Sequence, residues 1–441
     1  MITIDRIKNI LNLALPMTVG LLSDYIMGLI DIAMVGTLGN KAVAATGLSG
    51  FSHGLFIALV TGLAPAVQGI VARRRGEGSS EPKCTPLNGG LLLVLVLGIP
   101  LSVILYLLTP YYFSIISSDP EVTTEGIPYL RALVVATIAF GMCSVFEGYW
   151  RGMARVKVYM LIILFMNCLN VFLNYVLIFG NLGAPALGTM GAGVASAISI
   201  CTASLLYFGV TLYYFRNEGF LSIRPNLALY ARLLKMGLPI SIHDISFSAG
   251  FIIFFWIIGQ LGTQELSITT VLIRVTIVMF LFAEALGQTS ATLVSNALGK
   301  GDLQGAAQYG SDAGKISVVW ITLLGLPLFL FPEGFLSIFL SDPDTISFAV
   351  VPLQLTALTT GLSSLVYIFS ITLVTVGDIN RVMVISLGIQ WLLFLPAAWF
   401  IGPYLNYSFL EVWVVQIVYG LVIAGAITLL WSQGKWKGIK I

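Results

Sequence analysis

The chain has 441 residues, 58% hydrophobic and 10% charged, with a mean hydropathy of +0.96 and a formal net charge of +2. A soluble domain carries about 25% charged residues, so this composition leaves too little polar surface to coat a water-soluble globule. The chain reads as a polytopic membrane protein. Its four cysteines (Cys84, Cys143, Cys168, Cys201) and two histidines (His53, His243) have neither disulfide-framework nor metal-ligand spacing.

A membrane-crossing helix needs about 20 apolar residues. Twelve such runs occur, near 10–36, 43–71, 88–112, 129–150, 158–180, 190–215, 236–259, 268–297, 315–339, 350–376, 382–402 and 410–432. The first follows Asp5, Arg6 and Lys8 and reads as a span rather than a cleaved signal. Twelve spans put both termini on one side. The connections on that side hold 19 of the 22 basic residues: Arg6 and Lys8; Arg73, Arg74, Arg75 and Lys83; Arg151, Arg155 and Lys157; Arg216, Arg224, Arg232 and Lys235; Lys300 and Lys315; Arg381; and Lys435, Lys437 and Lys440. The opposite side holds only Lys41, and Arg131 and Arg274 lie in or beside spans. By the positive-inside rule both termini are expected in the cytoplasm, with the chain in the plasma (bacterial inner) membrane.

The sequence repeats at a constant offset. Leu15-Pro16 returns as Leu238-Pro239, and Gly36-Thr37-Leu38-Gly39 as Gly259-Gln260-Leu261-Gly262. Gly76-Glu77-Gly78 returns as Gly299-Lys300-Gly301, and Ser118-Asp119-Pro120 as Ser341-Asp342-Pro343. One offset shared by all four points to duplication. The expected fold is therefore all-α: two six-helix lobes related by a pseudo-two-fold axis along the membrane normal, the parallel-repeat plan of some transporters. Residues 1–215 form one lobe, 236–441 the other, and the basic stretch 216–235 links them. Two lobes around a midplane site suit alternating access. No nucleotide-binding loop is present, so an ion gradient is the expected driver.

Ionisable groups inside spans are expensive and mark function. The candidates are Asp24, Asp31, Glu147, Asp244, Glu284, Arg131 and Arg274. Glu147 and Arg131 sit near span ends, where long side chains reach the headgroups. Asp24 and Asp31 are about two helical turns apart and face one way. Asp31, within Leu29-Ile30-Asp31-Ile32-Ala33, is the candidate coupling group: it either takes up and releases a proton or stays charged and holds Na⁺, the alternative being a fixed carboxylate paired with a neighbouring amide or hydroxyl. Earlier on the same span, Pro16 lacks a helical hydrogen bond and is a candidate bending point. Pro239 matches it in the second half, which also fits a shared architectural role. In the fifth span Asn167, Asn170 and Asn174 share one face; Ser196 and Thr189 follow in the sixth. This polar stripe is either interhelical glue or the lining of a cavity shared with Asp31.

In the second half Asp24 and Asp31 align with Phe247 and Phe254. Its acids, Asp244 and Glu284, are read as buried and are candidates for a substrate cleft. Arg274 is too far along the helix from Glu284, about 15 Å of rise, for a direct pair. Asn167, Met142 and Phe51 are further cleft candidates; Phe146 and Met279 could add apolar lining.

Several segments together resemble the multidrug and toxic compound extrusion (MATE) transporters over essentially the whole chain. They are Ala14-Leu15-Pro16, Leu29 to Gly36, Trp150-Arg151-Gly152-Met153, Asn170 to Tyr175, Gly191 to Ser196, and Gly377-Asp378. The resemblance implies a V-shaped pair of lobes and export of cationic or amphipathic compounds in exchange for H⁺ or Na⁺. It also implies coupling at Asp31, lined by Asn170 and Asn174, with bending of the first helix near Pro16. DinF-like members often carry Asp where this chain has Asn174, so a Na⁺ site would have less charge and H⁺ is favoured. The acids of the NorM-like branch fall here at Phe247 and about Ser363. The chain therefore reads as nearer the DinF-like branch.

The expected activity is a proton-coupled multidrug antiporter acting as a monomer in the bilayer on small organic cations, with no cofactor, metal, nucleic-acid partner or catalytic group. Sodium coupling is the first alternative. A lipid-precursor flippase of the wider superfamily is the second, disfavoured by the acids because those proteins typically line their cleft with cations. A membrane enzyme would need a catalytic cluster at one depth, and none is found.

Overall fold

Inside a bilayer the backbone must satisfy its own hydrogen bonds, so long apolar runs become helices. The computed structural model describes residues 3–78, 82–117, 119–439 and 441, and no strand occurs among them. Ser118 of the repeat and Lys440 of the basic tail lie outside the described residues. Eleven helical stretches are long and apolar enough to cross a membrane: Ile4–Gly36, Asn40–Glu77, Thr85–Ile116, Val156–Phe179, Gly188–Phe215, Leu227–Leu261, Thr263–Gly299, Leu303–Leu330, Pro343–Thr375, Ile379–Tyr404 and Phe409–Ser432. A twelfth span is the pair Pro120–Val135 and Thr137–Gly152, bent by 47°. At that bend the Ala136 N–H bonds the Leu133 carbonyl at 3.0 Å, a tightened turn, while the Ser102 hydroxyl takes the Val134 carbonyl at 2.7 Å. A side chain entering the ladder is a recognised cause of a kink.

The duplication is written into the helix boundaries. Helices begin at Ile4 and Leu227, at Asn40 and Thr263, at Pro120 and Pro343, and at Val156 and Ile379, and every pair keeps the offset of the sequence repeat. Asp119 and Asp342 cap equivalent helices, each accepting a backbone N–H, from Glu121 and Thr345 respectively. Left-handed turn residues recur at the same offset: Gly78 with Gly301, and Ala154 with Gly377.

Packing divides the chain into two units, Val19–Ser241 and Ile242–Ile441 joined by the first helix as far as Thr18. The crossings at Thr18/Val19 and Ser241/Ile242 are again equivalent positions of the two repeats. The division expected from span count, 1–215 and 236–441, cuts the chain elsewhere, because residues near the start of the first and seventh helices each pack with the other unit. Ile10 and Ala14 are fully buried in the core of the second unit. Arg6 meets Asp312 there at 2.9 Å, and the Thr289 hydroxyl reaches the Met17 sulfur at 3.6 Å. The segment 216–235 is only partly a connection, since the seventh helix already begins at Leu227. Asn88 of the third span holds it: Nδ2 donates to the carbonyls of Gly219 and Ile223, both at 3.0 Å, and Oδ1 accepts from Leu221 N–H at 3.2 Å.

Candidate functional site

The site of the Val19–Ser241 unit lies where the first helix runs against the fifth. Gly20 eases the approach. A Cβ there would stand 2.7 Å from the Tyr159 ring, which would have to shift to admit it. The acids of one helix then face the amides of the other in a constant register. Asn167 Nδ2 donates to Asp24 Oδ1 at 2.8 Å and to the Ser23 hydroxyl at 2.9 Å. Two turns on, Asn174 Nδ2 donates to Asp31 Oδ1 in a short contact. The three asparagines are buried, at 4%, 1% and 0% exposure for Asn167, Asn170 and Asn174.

Asn170 completes the cluster, and its contacts are satisfied with the amide nitrogen toward Asp31 and the oxygen toward Ser196. Its nitrogen then donates to Asp31 Oδ1 at 3.0 Å and its oxygen accepts from the Ser196 hydroxyl at 3.1 Å. With Asn174, this gives Asp31 two N–H donors. Two oxygens, Asn167 Oδ1 and Asn174 Oδ1, are buried with no hydrogen-bond partner. No group of three or more His, Cys, Asp or Glu placed to hold a metal occurs among the described residues.

Sequence reasoning placed Asn167 in the substrate cleft; the structure sets it on Asp24. Glu147, read as a span-end residue, lies near enough to Asp24 for their charges to interact, and Arg151 stands 3.8 Å from it. Asp24 thus has a second acid, Glu147, in its neighbourhood. Tyr129, which no motif marked, lies near Asp31. Thr189 bonds the Glu125 carboxylate instead of joining the Asp31 cluster. Among the cleft candidates here, Met142 is half-buried and Phe51 is 50% exposed.

In the second unit Asp244 corrects expectation: it is not buried, its side chain being 53% exposed. Successive helical residues point about 100° apart, and that rotation carries His243 toward the eleventh span and Asp244 away from it. His243 bonds Asp244 at 3.1 Å and Ser386 at 2.8 Å. Glu284 is half-buried and within electrostatic reach of Tyr367. Phe247 and Ser363 both line a cavity of about 120 Å³ whose other walls include Thr276, Thr356, Thr359 and Thr360. Its lining contains no carboxylate.

The matches to known proteins follow this geometry. The MatE family model matches residues 16–176 and again 239–400, one copy in each half. The chain belongs to the MatE family. Its members are transporters, not enzymes, and this chain is a multi-pass membrane protein of that family. A probable multidrug resistance protein NorM from Thermotoga maritima is 25% identical over 439 residues, covering 98% of this chain and 93% of that protein. A MOP superfamily transporter from Pyrococcus furiosus, described as having a binding pocket of reverse polarity, superposes with a TM-score of 0.88 at 20% identity, covering 97% and 95% of the two chains. A MATE protein solved in a bent conformation superposes equally well, with the same score, identity and coverage. These structural likenesses establish the shared MATE fold.

Proposed function

We propose that this protein exports cationic, amphipathic organic compounds in exchange for protons by alternating access, with Asp31 as the coupling group. The observation that carries the reading is the Asp31–Asn174–Asn170–Ser196 cluster. It sets two amide donors on a carboxylate in a span, bonds that are strongest while the acid is charged. A proton arriving at Asp31 removes the charge that held the first helix to the fifth through Asn174. The helix then bends or straightens about Pro16, just before it passes from one packing unit to the other. That related proteins are named for multidrug resistance, and that one was captured bent, supports this assignment of cargo and motion.

The two expected lobes, with both termini cytoplasmic in the plasma membrane, complete the proposal, as does a monomeric unit. Placement nearer the DinF-like branch rests on the acids of the first half and on the acid-free cavity at Phe247 and Ser363. Sodium coupling is a second reading, favoured by the two orphaned oxygens of Asn167 and Asn174. Against it, the Asn174 amide nitrogen points at Asp31, where a cation would need an oxygen. One charge moving through 100 mV supplies about 2.3 kcal/mol, so a single proton sustains modest accumulation from voltage and more with a pH gradient.

The test is transport of ethidium by the purified protein in liposomes, under an imposed pH gradient and separately a Na⁺ gradient. Uptake driven by the pH gradient and lost in Asp31→Asn is the expected result. Uptake driven by Na⁺ alone overturns proton coupling, and no uptake under either gradient overturns the cationic cargo and directs attention to lipid-linked precursors.

A further inference from the structure

A groove of about 600 Å³ on the Val19–Ser241 unit takes no part in the transport reading. Its walls come from the third, fourth and sixth spans. Val135, Ile198 and Leu205 on its rim are 62%, 43% and 72% exposed. The volume is that of a small-molecule site, but the lining is open and apolar, a surface that in a bilayer meets acyl chains.

One charge stands in it. Arg131 lies with its guanidinium 4.7 Å from the centre of the Tyr106 ring, a cation–π contact. Its Nε is buried and has no hydrogen-bond partner. No carboxylate lies within ion-pair distance of it among the described residues. A cation in a span without an anion is costly, so the fold presents a fixed positive charge whose partner comes from outside the chain. Depth narrows the choice. Arg131 lies on the Pro120 arm of the bent fourth span, three turns or about 17 Å along the helix from Pro120. An apolar core of about 30 Å leaves a side chain at that position within snorkelling reach of the phosphate layer at the Pro120 end.

We propose that this groove is a specific glycerophospholipid site. The phosphodiester pairs with the Arg131 guanidinium, which matches phosphate geometry with two parallel N–H donors. Tyr106 holds the guanidinium from behind, and an acyl chain lies along Val194, Ile198 and Leu205. The site is independent of cargo and coupling ion. With both termini cytoplasmic as proposed above, the Pro120 end of the fourth span faces outward and the site lies in the outer leaflet.

Native mass spectrometry of the full chain in detergent tests this, after delipidation and addition of dioleoyl phosphatidylglycerol, dioleoyl phosphatidylcholine or dioleoylglycerol. Both phospholipids should be retained on the wild type at one copy, and dioleoylglycerol poorly. Arg131→Gln should lower phospholipid retention about fivefold, the scale of one basic residue at a lipid surface, and Arg131→Lys should restore part of it. Equal retention of dioleoylglycerol, or retention unchanged in Arg131→Gln, overturns the proposal. Should Arg131→Gln fail to fold, phosphatidylglycerol with a photoreactive acyl chain on the wild type decides: adducts concentrated within residues 190–205 support the site, and adducts spread over all spans overturn it.

Discussion

Gln390 occupies in the second repeat the place of Asn167 in the first, and reaches across the equivalent helix pair in the same register. Asn167 ends on the carboxylate of Asp24 at 2.8 Å; Gln390 ends on the backbone carbonyl of Phe247 at 3.0 Å. The bridge is duplicated and the acid is not. Gln390 sits in a π-helical stretch, Ile389–Phe394, the kind of local distortion often found at functional sites.

This asymmetry predicts different consequences for matching substitutions. Asn167→Leu leaves Asp24 without its donor and should reduce pH-driven efflux by about tenfold, the worth of about 1.4 kcal/mol at a charged hydrogen bond. Gln390→Leu removes a packing bond and should leave pH-driven efflux within about twofold while lowering the melting temperature. Parallel transport and melting curves check the pair. Equal loss of transport in both would mean that the bridge is structural in each half.

Asn174→Asp would set a second carboxylate against Asp31. Two like charges at hydrogen-bond distance repel unless a cation lies between them. The variant should acquire uptake driven by a Na⁺ gradient alone, to which the wild type should be inert. Substrate uptake against imposed Na⁺ gradients at fixed pH measures this, and a variant as inert as the wild type would show that charge count does not select the ion.

Much of this site was legible in the sequence because it depends on period. Asn167, Asn170 and Asn174 at spacings of three and four had to share a face, and all three are buried on it. The spans followed from hydropathy and the repeat from a constant offset. What depends on register between helices was not legible. Nothing local tells Asn167 to meet Asp24 rather than the cleft, or places Glu147 near Asp24 instead of among headgroups. Asp244 was misread because hydropathy averages over all faces of a helix and cannot say which one is left open. The exchange of the first helix between packing units has the same origin. Contacts such as that of Arg6 with Asp312 join distant parts of the chain and leave no local trace.

Pro16 interrupts the hydrogen-bond ladder of an otherwise continuous helix, Ile4–Gly36, just before that helix changes packing unit. Pro16→Ala restores the missing donor and removes a strain of up to about 3 kcal/mol in a helix interior. The variant should melt no lower than the wild type and turn over at least about tenfold more slowly. Wild-type turnover in a folded Pro16→Ala protein would remove the bend from the mechanism.

Arg6 and Asp312 tie the start of the first helix to the ninth span. Asp312 is buried, its side chain 5% exposed, while Arg6 is 20% exposed and Lys315 lies 3.7 Å from the same carboxylate. Breaking a fully buried pair costs about 3–5 kcal/mol. With Lys315 still present and Arg6 partly in water, Arg6→Ala should cost about 2 kcal/mol, and Arg6→Lys less. Denaturant or thermal unfolding of the purified variants measures it; an Arg6→Ala protein as stable as the wild type would place the pair among ordinary surface contacts.

At Gly148 the fourth span lies close against the backbone of the second. A Cβ added there would stand 2.3 Å from the Ala64 carbonyl oxygen, and that atom belongs to a helix backbone, which cannot turn aside as a side chain does. Overpacking of this kind costs about 1–3 kcal/mol. Gly148→Ala should lower the melting temperature. Gly54→Ala, in the same second span but with open space around the added carbon, should leave it unchanged or raise it, since alanine is the better helix former by about 1 kcal/mol. If the two substitutions shift the melting temperature alike, close helix approach at Gly148 does not hold these spans together.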